Sequence, residues 1–450
     1  MLIAFQRLPR LILDRWAEFR GFNPTDRNLF YLCVEIIPIG LASGALAFNG
    51  AFVLKLGASN ELIGAMASLP ALVVILLTVP AARFVESRTN RRPWVVGSLA
   101  VSRILFLLIG VIPWLLPLEA QASTIVALII AQQVPLAFFN TAFTALIGDV
   151  CPRDRRSSLF SMRTMFLAGS VALGAFLSGL FLDQVVFPLN FQVLNLIAFV
   201  LAQISTYYVG KVQFPPAHPR PPAAERRSLG LGIDLAGVKT FFREQRAFAN
   251  FNITTLVCWF GAWAAGPLYT IYLVRELQFT NSWLGANATL AQIAVLLSAP
   301  LWNRVIQRKG SLWVVMRTVL LTGLYPCLIV LFPFSAPILA IGFLNTLNDT
   351  GIGISHTAMF LDIIPPAKRS SYIAGHTVLM NTGAMIAPLI STPLSAAVGV
   401  SAVLLACGAI RFIGGALFWA LPPVNREPAQ ETPASPATAE PSAVPADNGK

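Results

Sequence analysis

The chain has 450 residues, of which 56% are hydrophobic and 12% are charged. Charged residues make up about a quarter of an average soluble domain, so this composition excludes a water-soluble protein of this length. The net charge is +12, and the positions of the basic residues decide whether it indicates nucleic-acid binding or membrane topology.

Apolar blocks of roughly 20 to 25 residues recur along the chain, each long enough to cross a ~30 Å hydrocarbon layer as a helix. Gly and Pro occur inside the blocks, as is ordinary for membrane helices. The pattern predicts twelve spans, at about residues 29–53, 61–82, 93–116, 121–147, 159–182, 187–210, 251–274, 283–303, 312–333, 335–361, 371–395 and 398–421.

The segment that precedes the first span, residues 1–27, does not resemble a cleavable signal peptide. Arg7, Arg10 and Asp14 interrupt any apolar core that a signal would need. Apolar residues alternate with these charges at helical spacing, which predicts an interfacial helix on the cytoplasmic side.

Polar residues inside the first-half spans are candidate functional residues, because an ionised side chain in a membrane costs at least ~2.5–3.5 kcal/mol on insertion scales. Glu35 lies about two turns into span 1 and shares a helical stripe with Asn49. Arg103 lies inside span 3. Span 4 contributes three amides, which are Gln132, Gln133 and Asn140.

Two stretches break the hydrophobic pattern. Residues 212–248 are first Pro-rich and then basic, which predicts a cytoplasmic linker containing an amphipathic surface helix. Residues 423–450 are rich in Pro, Ala and Glu and predict a disordered tail. The remaining chain divides into an N-terminal six-helix bundle at 28–211 and a C-terminal bundle at 249–422.

Span 10 is unusually polar for a membrane helix. Asp349 lies near its middle, and Asn345 and His356 share the same face at steps of three and four residues. Asn348 lies beside this face.

Two interpretations of these membrane residues stay open. In the first, Asp349 or Glu35 binds a proton or a cationic substrate in a central cavity, and His356 or Arg103 tunes that binding. In the second, the polar groups pair with one another and hold the helices together.

The basic residues are distributed unequally between the two faces of the predicted bundle. Of the 32 Lys and Arg residues, 28 fall at the face that carries the termini and the linker. The opposite face has only Lys55 and Arg275, and Arg103 and Arg411 lie within spans. This asymmetry predicts that both termini are cytoplasmic and argues against a nucleic-acid partner.

Several sequence patterns occur twice in the same order, as a duplicated six-helix unit requires. The pattern D-x-x-P-x-x-x-R-S-S begins at Asp149 and again at Asp362. Three shorter patterns also recur: N-x-x-x-G-A at Asn60 and Asn281, L-L-x-x-P at Leu76 and Leu296, and W-V-V at Trp94 and Trp313. Because six is even, the two halves share their orientation in the membrane.

The longest of these patterns also sets a register for comparing polar residues. The alignment that places Asp149 on Asp362 places Gln132 of span 4 on Asn345 of span 10. Both halves therefore contribute an amide at the same place.

A parallel repeat of six helices with a long basic central loop resembles the major facilitator superfamily of transporters. The loops at residues 83–92 and 303–310 are similar to the family signature G-x-x-x-D-R-x-G-R-R, with Ser87 and Gln307 where Asp is usual. The resemblance covers about residues 25–422. It implies an all-α polytopic membrane protein with twelve transmembrane helices in two pseudo-symmetric six-helix bundles.

The duplicated D-x-x-P-x-x-x-R patterns are predicted at cytoplasmic helix ends. Each Asp there follows a helix and each Arg begins the next, so each charge opposes its own helix dipole and favours pairing across the loop. The alternative is that these residues only determine topology. The family resemblance implies a cytoplasmic gate made of Asp149, Arg156, Asp362 and Arg369, with Glu86, Arg88 and Arg308 as partners.

Spans 5 and 11 are rich in small residues. Span 5 contains Gly169, Gly174 and Gly179, and span 11 contains Gly375 and Gly383. Close helix packing is the expected reason, and the Gly-Pro signature of antiporters is not present in span 5.

The sequence lacks the motifs that would indicate an enzyme. It contains no G-x-x-x-x-G-K-[ST], H-E-x-x-H or G-x-S-x-G pattern, and its five cysteines form no C-x-x-C pair. We therefore expect no catalytic residues, metal or cofactor. A transporter without a nucleotide site uses a gradient or runs downhill.

The predicted function is secondary transport of a small molecule by a monomer in the lipid bilayer of the cytoplasmic membrane, with protons as the coupling ion. Acids, amides and many Phe residues favour export of amphipathic or cationic compounds over sugar-type import. A non-transporting sensor or assembly protein is the second hypothesis, because the loop signature is degenerate.

Overall fold

The computed structural model describes residues 24–88, 90–152, 155–213, 246–364 and 369–423. Every regular element in these ranges is a helix, as the sequence predicts. The interfacial helix predicted at the N-terminus, the surface helix predicted in the linker and the predicted disordered tail lie outside the described residues.

The first half consists of six membrane helices, two of which are interrupted. They are α1 (Pro24–Val34, Ile36–Leu46 and Asn49–Lys55), α2 (Asn60–Glu86), α3 (Arg92–Leu115), α4 (Leu118–Ala131 and Gln133–Val150), α5 (Arg156–Gln184) and α6 (Leu189–Lys211).

The second half repeats this series. Its helices are α7 (Arg246–Ile271, continued by a π-helical turn at Tyr272–Glu276), α8 (Asn281–Lys309), α9 (Ser311–Leu321 and Leu324–Leu331), α10 (Ser335–Ile363), α11 (Arg369–Val398) and α12 (Val400–Ala420).

Within the described residues, eleven helices are long and apolar enough to cross a membrane. The twelfth long helix is α10, with 29 residues. Its polar residues, Asn345, Asn348, Asp349 and His356, lower its mean hydropathy. Because α10 packs against α8 and α9, protein covers much of this polar helix.

Several helices extend beyond the predicted spans. The helix α2 ends at Glu86, beyond the predicted end at residue 82, and α5 begins at Arg156, before the predicted start at residue 159. A span predicted from hydropathy stops at the first charged residues, whereas the helical backbone continues through them. The predicted spans are therefore shorter than the helices.

The starts of α2 and α8 are set by the same local signal. The Ser59 hydroxyl accepts a hydrogen bond from the backbone N–H of Leu62 (3.3 Å), and the Thr280 hydroxyl accepts one from Trp283 (3.2 Å). A side-chain oxygen that takes a free N–H group of the first turn stabilises the start of a helix.

The two halves have the same internal packing. In the first half α1 packs against α5 and α6, α2 against α4, and α3 against α6. In the second half α7 packs against α11 and α12, α8 against α10, and α9 against α12. The main contacts between the halves, α5 with α8 and α2 with α11, are also equivalent to each other.

The bundle has two ends, which we name by the residues that lie there. We call the end with Pro24, Lys211, Arg246 and Ala420 the linker end, and the end with Lys55, Asn60, Arg275 and Asn281 the distal end. Where both hydrogen-bond partners are described, every bond between the halves lies on the distal side of the bundle.

The glycines of α5 have different surroundings along the helix. A Cβ atom on Gly174 would lie 2.4 Å from the carbonyl oxygen of Leu41, and one on Gly179 would lie 2.6 Å from that of Asn281. A Cβ atom on Gly169 would meet nothing within 4 Å. Close packing therefore explains Gly174 and Gly179 and does not explain Gly169.

We predict that Gly174→Ala destabilises the protein and that Gly169→Ala does not. The new methyl group at 174 meets the backbone of α1, and such overpacking costs about 1–3 kcal/mol. At 169 the same change improves helix propensity by up to ~1 kcal/mol. The unfolding temperatures of the two variants in detergent test this prediction. Equal temperatures would contradict the close packing of α1 against Gly174.

Candidate functional site

Glu35 is the centre of a polar cluster in the first half. Its side chain is buried, and Arg163 Nη1 of α5 lies 2.7 Å from Glu35 Oε1. The Ser205 hydroxyl of α6 donates to Glu35 Oε2 at 2.8 Å. Arg163 also donates to the backbone oxygen of Leu32. The cluster thus joins α1, α5 and α6.

Arg163 is a residue that the sequence analysis missed. Arg163 is one of the 28 basic residues that the sequence assigns to the face with the termini, but it lies two turns inside α5 with its side chain 11% exposed. Its guanidinium lies 5.3 Å from the ring centroid of Phe143. The register that pairs Asp149 with Asp362 also pairs Arg163 with His376 of α11, and this match was the available signal.

Arg103 and Gln132 lie on the neighbouring helices α3 and α4. Arg103 is buried, interacts electrostatically with Glu35 and lies 5.5 Å from the ring centroid of Phe106. Gln132 is also buried, and its amide donates to the backbone oxygen of Ser102 at 3.4 Å. Both residues therefore belong to the interior of the first half.

The other first-half candidates are farther from this cluster. Asn49 is buried and accepts a hydrogen bond from Asn195 of α6 at 3.2 Å. Gln133 is half-buried and Asn140 is exposed on α4. Asn49 links α1 to α6, which agrees with the interpretation in which polar groups hold helices together.

Asp349 lies in a less enclosed cluster in the second half. Asn345 of the preceding turn donates to Asp349 Oδ2 at 2.9 Å, as the spacing predicts. Arg411 Nη2 of α12 lies 3.9 Å from Asp349 Oδ1. The Asp349 side chain is 42% exposed, whereas that of Arg411 is 10% exposed. This ion pair is looser and more accessible than the Glu35–Arg163 pair.

A cavity of about 270 Å³ adjoins Asp349. Its lining comes from four helices: Cys258, Trp259 and Ala262 of α7, Thr322 of α9, Asp349, Ile352 and Gly353 of α10, and Arg411 of α12. The cavity thus combines one carboxylate and one guanidinium with apolar and aromatic walls.

Two polar atoms of this cluster have unused hydrogen-bonding capacity. Arg411 Nε and Asn345 Oδ1 are buried without a hydrogen-bond partner in the described structure. Buried polar atoms are nearly always satisfied, so unsatisfied ones beside a cavity are typical of a site that water or a ligand completes.

His356 lies nearer the linker end and faces α7. Its Nε2 is 2.9 Å from the Thr255 hydroxyl. The imidazole stacks against Phe251 at 4.5 Å and Trp259 at 4.8 Å between ring centroids. Trp259 also lines the Asp349 cavity, so the aromatic cluster and the cavity share a wall.

His376 of α11 is a second residue that the sequence analysis did not select. Its Nδ1 is 2.9 Å from Asn252 Oδ1 of α7, and its ring lies 6.3 Å from that of His356. In the register of the duplicated pattern, His376 and His356 are equivalent to Arg163 and Phe143. The same positions thus form a cation–aromatic contact in one half and a histidine pair in the other.

Asn348 differs from the other polar residues of α10. Its amide donates to the backbone oxygen of Thr318 in α9 at 3.0 Å. This bond holds two neighbouring helices together, and Asn348 is not among the residues that line the Asp349 cavity.

The predicted gate residues are only partly described. Arg156 Nε donates to the backbone oxygen of Cys151 at 3.1 Å, and Arg88 lies 4.5 Å from the ring centroid of Phe84. Arg308 and Asp362 are exposed at the linker end. The side chains of Glu86, Asp149 and Arg369 lie outside the described part, and the gate stays a prediction.

The described residues contain no group of three or more His, Cys, Asp or Glu side chains that would hold a metal ion. The two clusters are made of ion pairs and amides, with imidazoles near the second. Such groups bind protons and polar solutes.

The repeat and the twelve helices agree with a comparison of the chain with known families. The model described as Major Facilitator Superfamily matches residues 33–263 and again residues 251–446. This chain belongs to the Major Facilitator Superfamily. The two matches follow the two halves, as the internal duplication requires. No curated protein sequence matches the chain significantly.

Solved structures of transporters share this superfamily fold. A variant of the nucleoside transporter NupG has a TM-score of 0.68 at 16% identity, covering 89% of this chain and 100% of its own. A bacterial homologue of the iron transporter ferroportin in an inward-facing state has a TM-score of 0.67 at 13% identity, and the match covers 88% of this chain and 98% of the homologue's own. A POT family transporter in complex with 5-aminolevulinic acid has a TM-score of 0.65 at 15% identity, and the match covers 88% of this chain and 96% of that transporter's own. At these identities the likeness shows the fold alone.

We predict that Arg163→Leu lowers the free energy of unfolding by about 3–5 kcal/mol, because it leaves Glu35 as a buried charge without its partner. The double variant Glu35→Leu with Arg163→Leu removes both charges and is expected to regain most of that loss. Unfolding temperatures in detergent measure both effects.

Arg155→Leu is the matched control for this prediction. It breaks the pair of Arg155 with Asp26, whose side chains are 53% and 19% exposed. Exposed pairs contribute about 0–1 kcal/mol. If Arg163→Leu lowers the free energy of unfolding no more than Arg155→Leu does, the buried pair does not stabilise the fold.

Proposed function

We propose that this protein is a secondary transporter that works by alternating access. The observation that carries the proposal is the closure of the bundle at its distal end, between two halves that have the same internal packing. The described hydrogen bonds between the halves lie on the distal side, and the positive-inside asymmetry assigns the linker end to the cytoplasm. A bundle closed at its distal end is what alternating access expects of a state that is closed to the outside.

The surroundings of two glycines support the closure of the distal end. A Cβ atom on Gly179 of α5 would lie 2.6 Å from the backbone oxygen of Asn281 in α8, and one on Gly285 of α8 would lie 2.6 Å from that of Ala175 in α5. The helices α5 and α8, which join the halves, are therefore closely packed on the distal side.

We place the coupling site at Asp349. Its carboxylate is partly exposed, contacts Arg411 only at 3.9 Å and adjoins the 270 Å³ cavity. A loosely paired carboxylate can exchange its partner for a proton or a solute at lower cost than a tightly held one. Glu35 is buried and tightly bonded to Arg163 and Ser205, and it thereby holds α1, α5 and α6 of the first half together.

The same geometry bears on the class of substrate. The preference for amphipathic or cationic compounds rests on the intramembrane acids, the amides and the many Phe residues of the sequence, and in the structure each of the two acids has an arginine beside it. The cavity walls combine Trp259 and Ile352 with the Asp349–Arg411 pair. We therefore propose a small amphipathic solute with at least one ionisable or hydrogen-bonding group. Export stays a prediction from the sequence.

We predict that ligand binding depends on pH through Asp349. The purified protein is screened by thermal unfolding against a solute library at pH 6 and pH 8, since a ligand at 100 times its Kd stabilises by ~2.7 kcal/mol. Compounds that stabilise the wild type are then added to proteoliposomes containing a pH-sensitive dye. We expect them to change the internal pH, and Asp349→Asn to abolish this change.

Glu119→Gln is the control, because Glu119 is an exposed acid at the start of α4. It is expected to behave as the wild type in both assays. A compound that binds and crosses the membrane without proton movement would reject coupling at Asp349. A folded protein that binds and moves no compound of the library would favour the non-transporting hypothesis.

A further inference from the structure

The two basic residues of the distal end have a use that membrane topology does not explain. Lys55 and Arg275 are the exceptions to the positive-inside asymmetry, since the sequence predicts the other basic residues at the linker end or within spans. Lys55 ends α1, and Arg275 lies in the last turn of α7. In the structure each reaches the opposite half and binds an asparagine there.

The first of these contacts is made on Asn281, the first residue of α8. Lys55 Nζ donates to Asn281 Oδ1 at 3.1 Å. Asp183, at the end of α5, accepts from the Asn281 side-chain amide at 2.7 Å and from its backbone N–H at 2.9 Å. Asp183 also accepts from the backbone N–H of Ser282 at 2.7 Å. Two residues of the first half thus hold one asparagine of the second.

The second contact is made on Asn60, the first residue of α2. Arg275 Nη1 donates to Asn60 Oδ1 at 2.7 Å, and the Asn60 amide donates to the Ser395 hydroxyl of α11 at 3.1 Å. Arg275 Nη2 also donates to the backbone oxygen of Ala58. Here two residues of the second half hold one asparagine of the first.

These contacts are related by the internal repeat. Asn60 and Asn281 are the first residues of the two copies of the N-x-x-x-G-A pattern. Lys55 lies five positions before Asn60 in the chain, and Arg275 lies six positions before Asn281. We infer that these residues form a pseudo-symmetric distal gate, in which each half holds the other half's asparagine and which opens once in every transport cycle. This inference rests on the proposed alternating access.

The glycine of the duplicated pattern fits the same role. A Cβ atom on Gly64 of α2 would lie 2.0 Å from the Thr392 hydroxyl of α11. A Cβ atom on Gly285 of α8 would lie 2.6 Å from the Ala175 backbone oxygen of α5. The glycines therefore let the helices of opposite halves approach closely enough for the asparagine contacts to form.

The exposure of the gate residues suits a contact that must be broken repeatedly. Lys55, Asp183 and Arg275 are exposed at the distal end, whereas Asn281 is 4% exposed. Water can solvate the charged groups as soon as they separate. Opening then leaves no charge buried without a partner, which would be far more costly.

The test measures distances across both ends of the full-length chain in nanodiscs. Spin labels are placed at Val186→Cys and Val398→Cys, which are 80% and 57% exposed at the distal end. A second labelled protein carries Ser87→Cys and Lys309→Cys at the exposed linker end. Both carry Cys327→Ala, because the other four native cysteines are buried.

Asn60→Ala and Asn281→Ala are each expected to raise the ratio of distal-open to distal-closed molecules about tenfold, since each removes two side-chain bonds between the halves. Lys55→Met with Arg275→Met is expected to act in the same direction. These side chains are exposed, so this variant keeps the test informative where an asparagine variant fails to fold.

Gln121→Ala is the matched control. Gln121 is an amide at the same end whose side chain donates to the backbone oxygen of Leu116 at 2.9 Å, inside one half. It is expected to leave the distal distance unchanged.

The two distances separate the gate from alternating access. A longer distal distance with a shorter linker-end distance supports both. A longer distal distance with an unchanged linker-end distance supports the gate and rejects rocking of the two halves. If neither distance changes in folded gate variants, the gate inference is wrong. This conclusion does not depend on whether a transported solute changes both distances, which is the separate test of alternating access.

Discussion

The cost of an unpaired charge in hydrocarbon constrains the interior of this protein more than any other interaction. Glu35 is paired with Arg163 and Asp349 with Arg411, and in each case both partners belong to the same half. Each half therefore balances its intramembrane acid internally. The two halves can move relative to each other without separating a buried ion pair, a step that would cost several kcal/mol.

The contacts between the halves are of a different kind. Among the described residues they include close helix packing at glycines such as Gly64 and Gly285, and hydrogen bonds between exposed cations and asparagines at the distal end. Such bonds are readily replaced by bonds to water. The intramembrane acids are thus paired within each half, whereas exposed cations make polar contacts between the halves, an arrangement that suits the alternating access proposed above.

Duplication explains both the resemblance and the difference between the two polar clusters. The position of Arg163 is occupied by His376 in the second half, and that of Phe143 by His356. The first cluster is tightly bonded and buried, whereas the second adjoins an accessible cavity with Asp349. One half has a structural ion pair where the other offers groups that can exchange partners, and we therefore place coupling in the second half.

The sequence alone determined the all-α class, the spans and the two-fold repeat, because hydropathy and duplicated patterns are local properties. It also placed Asn345 and Asp349 on one helix face, since residues four apart share a face, and in the structure the two side chains form a hydrogen bond. Only the tertiary structure decided the partner of Glu35, the packing difference between Gly169 and Gly174, and the use of Lys55 and Arg275. These depend on pairs such as Glu35 and Ser205, which are far apart in the chain and meet only when the helices pack.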